Sequence, residues 1–487
     1  MISVAHKREF MIMKQPKALL TLLFLLVCSA LHCVAQTYVP RDGEIRFKVL
    51  QATKDRTIHQ VRSVPFTPHH YALFRSIDLD AAKPSHEYDG LGVSLTDASC
   101  WLLSEMEEAT RHKLLTAAFT AEGLNLSMIR LNCGASDYAT ELYNYNNTAG
   151  DVKMKNFSVA RDEKYMIPII KSISSYCPDV FTYSSIWSCP GWLKDSGEMC
   201  GGSLLDEHLP TFAAYWAAYL KAYKERGVKI DAITIQNEPD TDQDYGCPAT
   251  LISGKQEAEL AGTYMSKAFR AAGVDTKIWI WDHNYDGWQR VNDMLDNERV
   301  KRNTAAVAWH PYVGEAKLMQ KVVERHPDVK MHLTERGPSM AMGADQDTKW
   351  WADVVFDALN NGCSSYSSWN LVLDQDGQPN TGRHPCAGLF TYNTYTGEVT
   401  ESTQAALFRQ FGPYVKRGAK ILAIDQPQAD LKCVAFQNPE GDYVVVVAAA
   451  NVMRQRRCVQ IKFKGEYLML ALPMNTWSLT TVLIDKQ

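Results

Sequence analysis

The chain has no His-Glu-x-x-His, no two cysteines at the Cys-x-x-Cys spacing, and, after residue 35, no run of about 18 uninterrupted apolar residues. These absences argue against a zinc hydrolase, a zinc knuckle, a thioredoxin-type dithiol and a membrane-spanning helix downstream of the N-terminus. An excess of one charge sign is lacking too. The 51 Lys and Arg nearly balance 55 Asp and Glu, for a formal net charge of -4, so nothing draws the chain to phosphate backbones or anionic lipid, and no nucleic-acid partner is expected. Gly90-x-Gly92 lacks the third glycine of a dinucleotide loop. No metal and no cofactor are therefore expected, and neither an internal repeat nor a low-complexity linker is visible.

What is present is the material of an enzyme-sized globule. A 487-residue chain with 46% hydrophobic content buries a large core as two or three domains, or as one barrel with an appendage. Its 12 Trp and 22 Tyr offer flat faces for sugar rings, although most of them belong to the core. Lys14 and Lys17 precede the apolar stretch Ala18 to Ala30, and Cys33-Val34-Ala35 supplies small residues before Gln36. Residues 1–35 thus read as a cleavable signal peptide, and the protein is expected to be secreted or periplasmic. Ten cysteines follow the leader, an even number that permits disulfides without fixing their pairing, while Cys177 is expected as a buried thiol.

Apolar strand-like runs alternate with helical patterns from about residue 90 to 370. Eight such runs can be counted: Gly90 to Leu95, Leu124 to Leu131, Val180 to Trp187, Asp231 to Gln236, Lys277 to Asp282, Ala305 to His310, Lys330 to Thr334 and Ser364 to Trp369. Leu209 to Glu225, Lys255 to Ala272 and Trp350 to Asn361 carry apolar residues at helical spacing. The expected fold is α/β: a (β/α)8 TIM barrel over 89–418, with an attached β-sandwich formed from both termini, 36–88 and 419–487.

Two carboxylates carry the chemistry. Glu238 in Ile-Gln-Asn-Glu-Pro and Glu335 in Leu-Thr-Glu-Arg-Gly each end an apolar strand-like run, the fourth and seventh of the series. Acids at strand ends of a parallel barrel point into its mouth. Cleavage of a glycosidic bond needs two of them, a neutral acid for the leaving oxygen and a carboxylate for the developing oxocarbenium carbon. Asn237, beside Glu238, is of the type that holds a sugar 2-hydroxyl, and Arg130, at the end of the second run, is either a cationic support for Glu335 or a structural ion-pair member.

Five ordered motifs strengthen this. Asp89 to Ala98, Ile186-Trp-Ser-Cys-Pro-Gly-Trp-Leu-Lys194, Gln236-Asn-Glu-Pro239, Trp309-His-Pro-Tyr312 and Ser368-Trp-Asn-Leu371 resemble, in order and spacing, those of glycoside hydrolase family 30, which includes glucosylceramidases and β-1,6-glucanases. The likeness runs from about Asp78 to the C-terminus. It implies Glu238 as general acid/base and Glu335 as nucleophile of a retaining double displacement, with Asp137, Trp187, Asn237, Trp369 and Asn370 holding the sugar, and His310 and Tyr312 near the nucleophile. Leu91, Val93 and Leu95 replace the usual Phe, Gly and Phe, and Arg336-Gly-Pro338 departs from the lysosomal enzymes after Glu335. The expected substrate is a β-1,6-glucan or related β-glucoside. Glucosylceramidase-like, β-xylosidase or β-fucosidase activity, or sugar binding without catalysis, are the alternatives.

Overall fold

The computed structural model describes residues 44–486 apart from residue 73, residues 243–245, 342–343, 427–430 and 451–456, and residue 474. The signal peptide expected at 1–35 lies outside the described residues. Eight parallel strands close a barrel in chain order: β1 (Gly90–Ser94), β2 (Leu126–Asn132), β3 (Phe181–Ser185), β4 (Ala232–Thr234), β5 (Lys277–Asn284), β6 (Thr304–His310), β7 (Lys330–Leu333) and β8 (Cys363–Ser368). Each falls on one of the eight expected runs. The helix Leu209–Glu225 has the expected bounds, and the expected 255–272 helix is interrupted by a π turn at Leu260–Tyr264. Trp350 to Asn360 is the second part of the longer helix Ala344–Asn360.

Alternation along the strands grades the barrel interior from apolar to polar, because every second residue points inward. Met128, Tyr183, Ala232, Trp279, Ala306 and Ala308 form one buried cluster. His332 stacks on Trp279 with ring centroids 4.2 Å apart, and burial pushes its pKa down to about 4, so the ring sits there uncharged. Two residues further along β2, β3, β4 and β6, the inward positions are Arg130, Ser185, Thr234 and His310. The mouth of the barrel is therefore polar and its floor apolar.

Strands from both ends of the chain build the remaining large sheets. A seven-stranded sheet has the order His59–Val61, Phe47–Ala52, Ser478–Ile484, Tyr443–Ala449, Leu431–Gln437, Lys420–Ala423, Lys83–Glu87. A three-stranded sheet of Glu466–Leu472, Arg457–Phe463 and Ser76–Asp78 covers one of its faces. Cys433, Ala435, Val445 and Val447 point into the core between these sheets, with Ile77, Ile461 and Leu468. Their neighbours Val434, Phe436, Val444 and Val446 point the other way, into the core that includes the barrel helices. Phe436 stacks on Phe411 at 5.8 Å. The uninterrupted apolar run at 444–449 follows from this burial on both faces.

Among the described residues no helix is long and apolar enough to cross a membrane. No disulfide joins any of the ten cysteines after residue 35, so the cross-linking that their even number allowed is not realised. Cys100, Cys133, Cys363 and Cys433 are buried in the two cores, where they pack as small apolar side chains; Cys177, expected to be buried, is partly exposed.

Candidate functional site

The backbone carries Glu238 and Glu335 to the mouth from opposite sides. Beyond β4, Asn237 N–H donates to Ile186 O at 2.9 Å and Glu238 N–H to Asp282 O at 3.1 Å, so the chain stays tied to its neighbours past the end of the strand. Beyond β7, Thr334 N–H donates to Trp309 O at 3.0 Å and Glu335 follows. The result is that one carboxylate oxygen of Glu238, one of Glu335 and a ring nitrogen of His310 all lie within 4.8 Å of one another.

Beneath these acids lies a buried charge network that the sequence shows only in part. Arg130 Nη1 donates to Glu335 Oε2 at 2.6 Å, Nη2 to Asn237 Oδ1 at 2.7 Å and to Asp282 Oδ2 at 2.8 Å, and Nε to Ser185 Oγ at 3.0 Å. Asp282 was not foreseen as a site residue. Its carboxylate also accepts from Thr234 and Thr334, each at 2.6 Å, and faces His310 Nε2 at 3.1 Å. Burial opposes its charge, but Arg130, His310 and Thr234 outweigh that and hold its pKa well below the carboxylate range. His310 is likewise opposed by burial, yet Glu335, Asp282 and Glu238 lift its pKa to about 9. Glu335 is completed by Tyr312, whose hydroxyl donates to Oε1 at 2.6 Å.

Strain collects here. Glu238, Trp281, Asp282 and Asn370 are four of the nine described non-glycine residues with positive φ, and such conformations persist where surrounding structure enforces them. At Asp282 the cause is visible: the register between β5 and β6 slips there, Trp281 pairing with Ala308 and His283 with Trp309. This bulge turns the Asp282 side chain into the barrel.

A cavity of about 500 Å³ opens above the network. Asp137, Trp187, Asn237, Glu238, Tyr312, Glu335 and Trp369 line it, seven of the ten residues picked out from the sequence. Arg130 and His310 lie fully buried below it. Asn370 is also fully buried and does not line the cavity; its Oδ1 accepts from Thr96 Oγ1 at 2.8 Å. The indoles of Trp187 and Trp369 stack on each other at 5.2 Å, and the Arg130 guanidinium lies 4.7 Å from the first. Lining residues without a sequence signal include His283, Asn284, Arg336 and His384. They sit on loops or on the bulged strand, where no periodicity marks orientation.

The close set Glu238, His310 and Glu335 does not suit a metal ion. Both Glu335 oxygens already accept, from Tyr312 and Arg130, and the two His310 nitrogens face Glu238 and Asp282. Asp137 is different. Burial, then Glu335 and Glu238, raise its pKa to about 8. A carboxyl that binds its proton more tightly folded than unfolded makes stability fall as pH rises from roughly 4 toward 8. Asp137→Asn is therefore expected to raise the melting temperature of the empty protein by several degrees at pH 8 and to leave it unchanged at pH 4. Equal melting curves for the two proteins at pH 8 would remove Asp137 as a destabilised ligand-binding group.

A closed parallel barrel with paired acids at its C-terminal mouth defines a TIM-barrel glycosidase. Residues 88–387 match the glycosyl hydrolase family 30 TIM-barrel domain, and the chain belongs to this family. An endo-1,6-β-D-glucanase of Neurospora crassa is 31% identical over 349 residues, 69% of this chain and 71% of that protein. The lysosomal acid glucosylceramidase of Mus musculus is 24% identical over 396 residues, 76% of each. SrfJ from Salmonella typhimurium superposes with TM-score 0.83 at 24% identity, over 91% of this chain and 100% of that one. A solved endo-β-1,6-glucanase gives TM-score 0.80 at 23% identity, again over 91% and 100%. The two structures share the fold.

Proposed function

We propose that this glycosidase hydrolyses β-1,6-glucan with retention, with Glu238 as general acid/base and Glu335 as nucleophile. The observation that carries the mechanism is the approach of the two carboxylates to within 4.8 Å. Retaining enzymes hold their carboxyl groups about 5 Å apart, whereas inverting enzymes need roughly 6.5–9.5 Å to admit a water. Charge supports the division of roles. Arg130 and His310 balance two buried anions, Asp282 and Glu335, and a third ionised carboxylate at Glu238 would leave the cluster net negative in a poorly solvated place. Glu238 thus carries the proton.

In the first step Glu238 gives that proton to the leaving glycosidic oxygen while Glu335 Oε attacks the anomeric carbon, forming a glycosyl ester. In the second, ionised Glu238 takes a proton from water, the hydroxide oxygen attacks the same carbon, and Glu335 leaves as carboxylate. Asp137 and the Asn237 amide, whose oxygen is committed to Arg130, address the sugar hydroxyls. Trp187 and Trp369 present apolar surface to the ring.

For the substrate, support comes from the relatives: three endo-1,6-β-D-glucanases at 27–31% identity against glucosylceramidases at 23–25%. Export rests on the leader pattern of residues 1–35. The test is product analysis on β-1,6-, β-1,3- and β-1,4-glucans, glucosylceramide, and aryl β-glucoside, β-xyloside and β-fucoside. Cleavage of β-1,6-glucan with products born as β-anomers is expected. Turnover of glucosylceramide without β-1,6-glucan would reassign the substrate, and α-anomeric products would overturn the mechanism.

A further inference from the structure

Beside the same Glu238 oxygen that His310 approaches stands His283, a residue with no assigned part in the two steps. Its Nδ1 lies 2.5 Å from Asp240 Oδ1, and its Nε2 lies 3.7 Å from Glu238 Oε1. Asn284 decides which nitrogen carries hydrogen. Its Oδ1 accepts from Tyr312 N–H at 3.0 Å and Val313 N–H at 3.1 Å, so the amide cannot be reversed, and its NH2 must face His283 Nε2, 3.0 Å away. A donor on that side demands a lone pair on Nε2, and Asp240 on the other demands N–H at Nδ1. The hydroxyl of Thr241, 3.2 Å from Nε2, can add a second donor.

We propose that Asp240 and Asn284 lock His283 as the Nδ1–H tautomer, so that its bare nitrogen faces Glu238 and disfavours negative charge there. The inference rests on Glu238 being the acid. A bare imidazole nitrogen repels an ionised carboxylate oxygen and tolerates a protonated one, whereas an Nε2–H would donate to Oε1 alongside His310 and hold Glu238 ionised before the leaving group needs its proton. His283 is then a positioning residue: it acts through Glu238, setting how readily the acid keeps its proton in the free enzyme.

The decisive variant is Asp240→Asn, at a half-exposed position where folding is not at stake. It replaces the charged acceptor that holds hydrogen on Nδ1 by a weaker, neutral amide oxygen, and removes one negative charge near Glu238; both effects lower the proton affinity of Glu238. The other titratable groups that reach Glu238, namely His310, Glu335, Asp137, Tyr312 and Cys247, are unchanged in it, as is Arg290, which acts on Asp240. On phenyl β-glucoside, a poor leaving group, the basic limb of kcat/KM is expected to move down by roughly half a pH unit or more, about a threefold loss on that limb. On a dinitrophenyl β-glucoside, which needs no protonation, kcat/KM should stay as in the wild type. Independently, nitrogen-15 spectra of histidine-labelled full-length protein, with His283→Gln for assignment, should show His283 with hydrogen on Nδ1 alone at neutral pH. If Glu238→Ala loses no more on phenyl than on dinitrophenyl glucoside, the acid assignment itself fails. If that assignment stands but Asp240→Asn leaves the basic limb in place, or His283 Nε2 carries hydrogen, the lock is wrong.

Discussion

Glu335→Ala is expected to lose at least about a thousandfold in kcat on every substrate, including an aryl β-glucoside with an activated leaving group. Glu238→Ala should lose roughly 10² to 10⁴ on unactivated glucosides yet keep most of its glycosylation rate on the activated one. The contrast follows from what each carboxylate does. Without Glu335 there is no atom to form the glycosyl ester, and Arg130 and Tyr312, which close on its two oxygens, are left aimed at an empty place. Without Glu238 the ester still forms when the leaving group departs unaided, but it accumulates because no base activates water. Azide, which needs no base, should then restore turnover of Glu238→Ala and give a β-glycosyl azide. If Glu335→Ala retained more than about a tenth of wild-type activity on the activated substrate, or azide failed to accelerate Glu238→Ala, the two roles would have to be reassigned.

Much of this architecture is legible before any coordinates. The eight barrel strands are short apolar runs between helical periods, and their length together with the change of period separates the two. Glu238 and Glu335 stand out because each ends such a run, and a parallel barrel has one place to put strand-end acids. Legibility fails where orientation no longer follows period two. Asp282 lies within an expected strand, but the bulge at β5 decides that its carboxylate points into the barrel and meets Arg130. His283 and Asn284 follow it on the same irregular stretch, and Asp240 reaches them from the loop after β4. Their contacts are long-range in sequence, and no local pattern encodes them. The cysteines mislead for a related reason: an even number after an expected leader suggests cross-links, yet Cys100, Cys133, Cys189, Cys363 and Cys433 serve as small apolar core residues.

Arg130 shows how the two halves of the site depend on each other, and replacing it should have the largest effect on stability. The sequence left open whether it supports Glu335 or belongs to a structural ion pair, and the geometry gives it both tasks. Its guanidinium reaches side chains from β3, the loop after β4, β5 and the second residue after β7, and it has no exposed surface. A lysine ammonium has three hydrogens on one atom and cannot span four acceptors in a plane, so Arg130→Lys should fail nearly as badly as Arg130→Met. In Arg130→Met the carboxylates of Asp282 and Glu335 keep only His310 as a nearby cation. Leaving a buried charge uncompensated costs about 3–5 kcal/mol. The loss has a pH signature. Asp282 has a depressed pKa, so its ion pairing contributes stability above the pKa of an unfolded aspartate and ceases to do so as acid protonates it. The deficit of Arg130→Met should therefore be greatest near neutral pH, shrink as pH falls below about 4, and be accompanied by loss of activity at every pH. Thermal melts at pH 7 and pH 3 test this: a deficit as large at pH 3 as at pH 7 would mean that Arg130 acts through packing alone, and no deficit at either pH would mean that the buried pairs contribute nothing to folding.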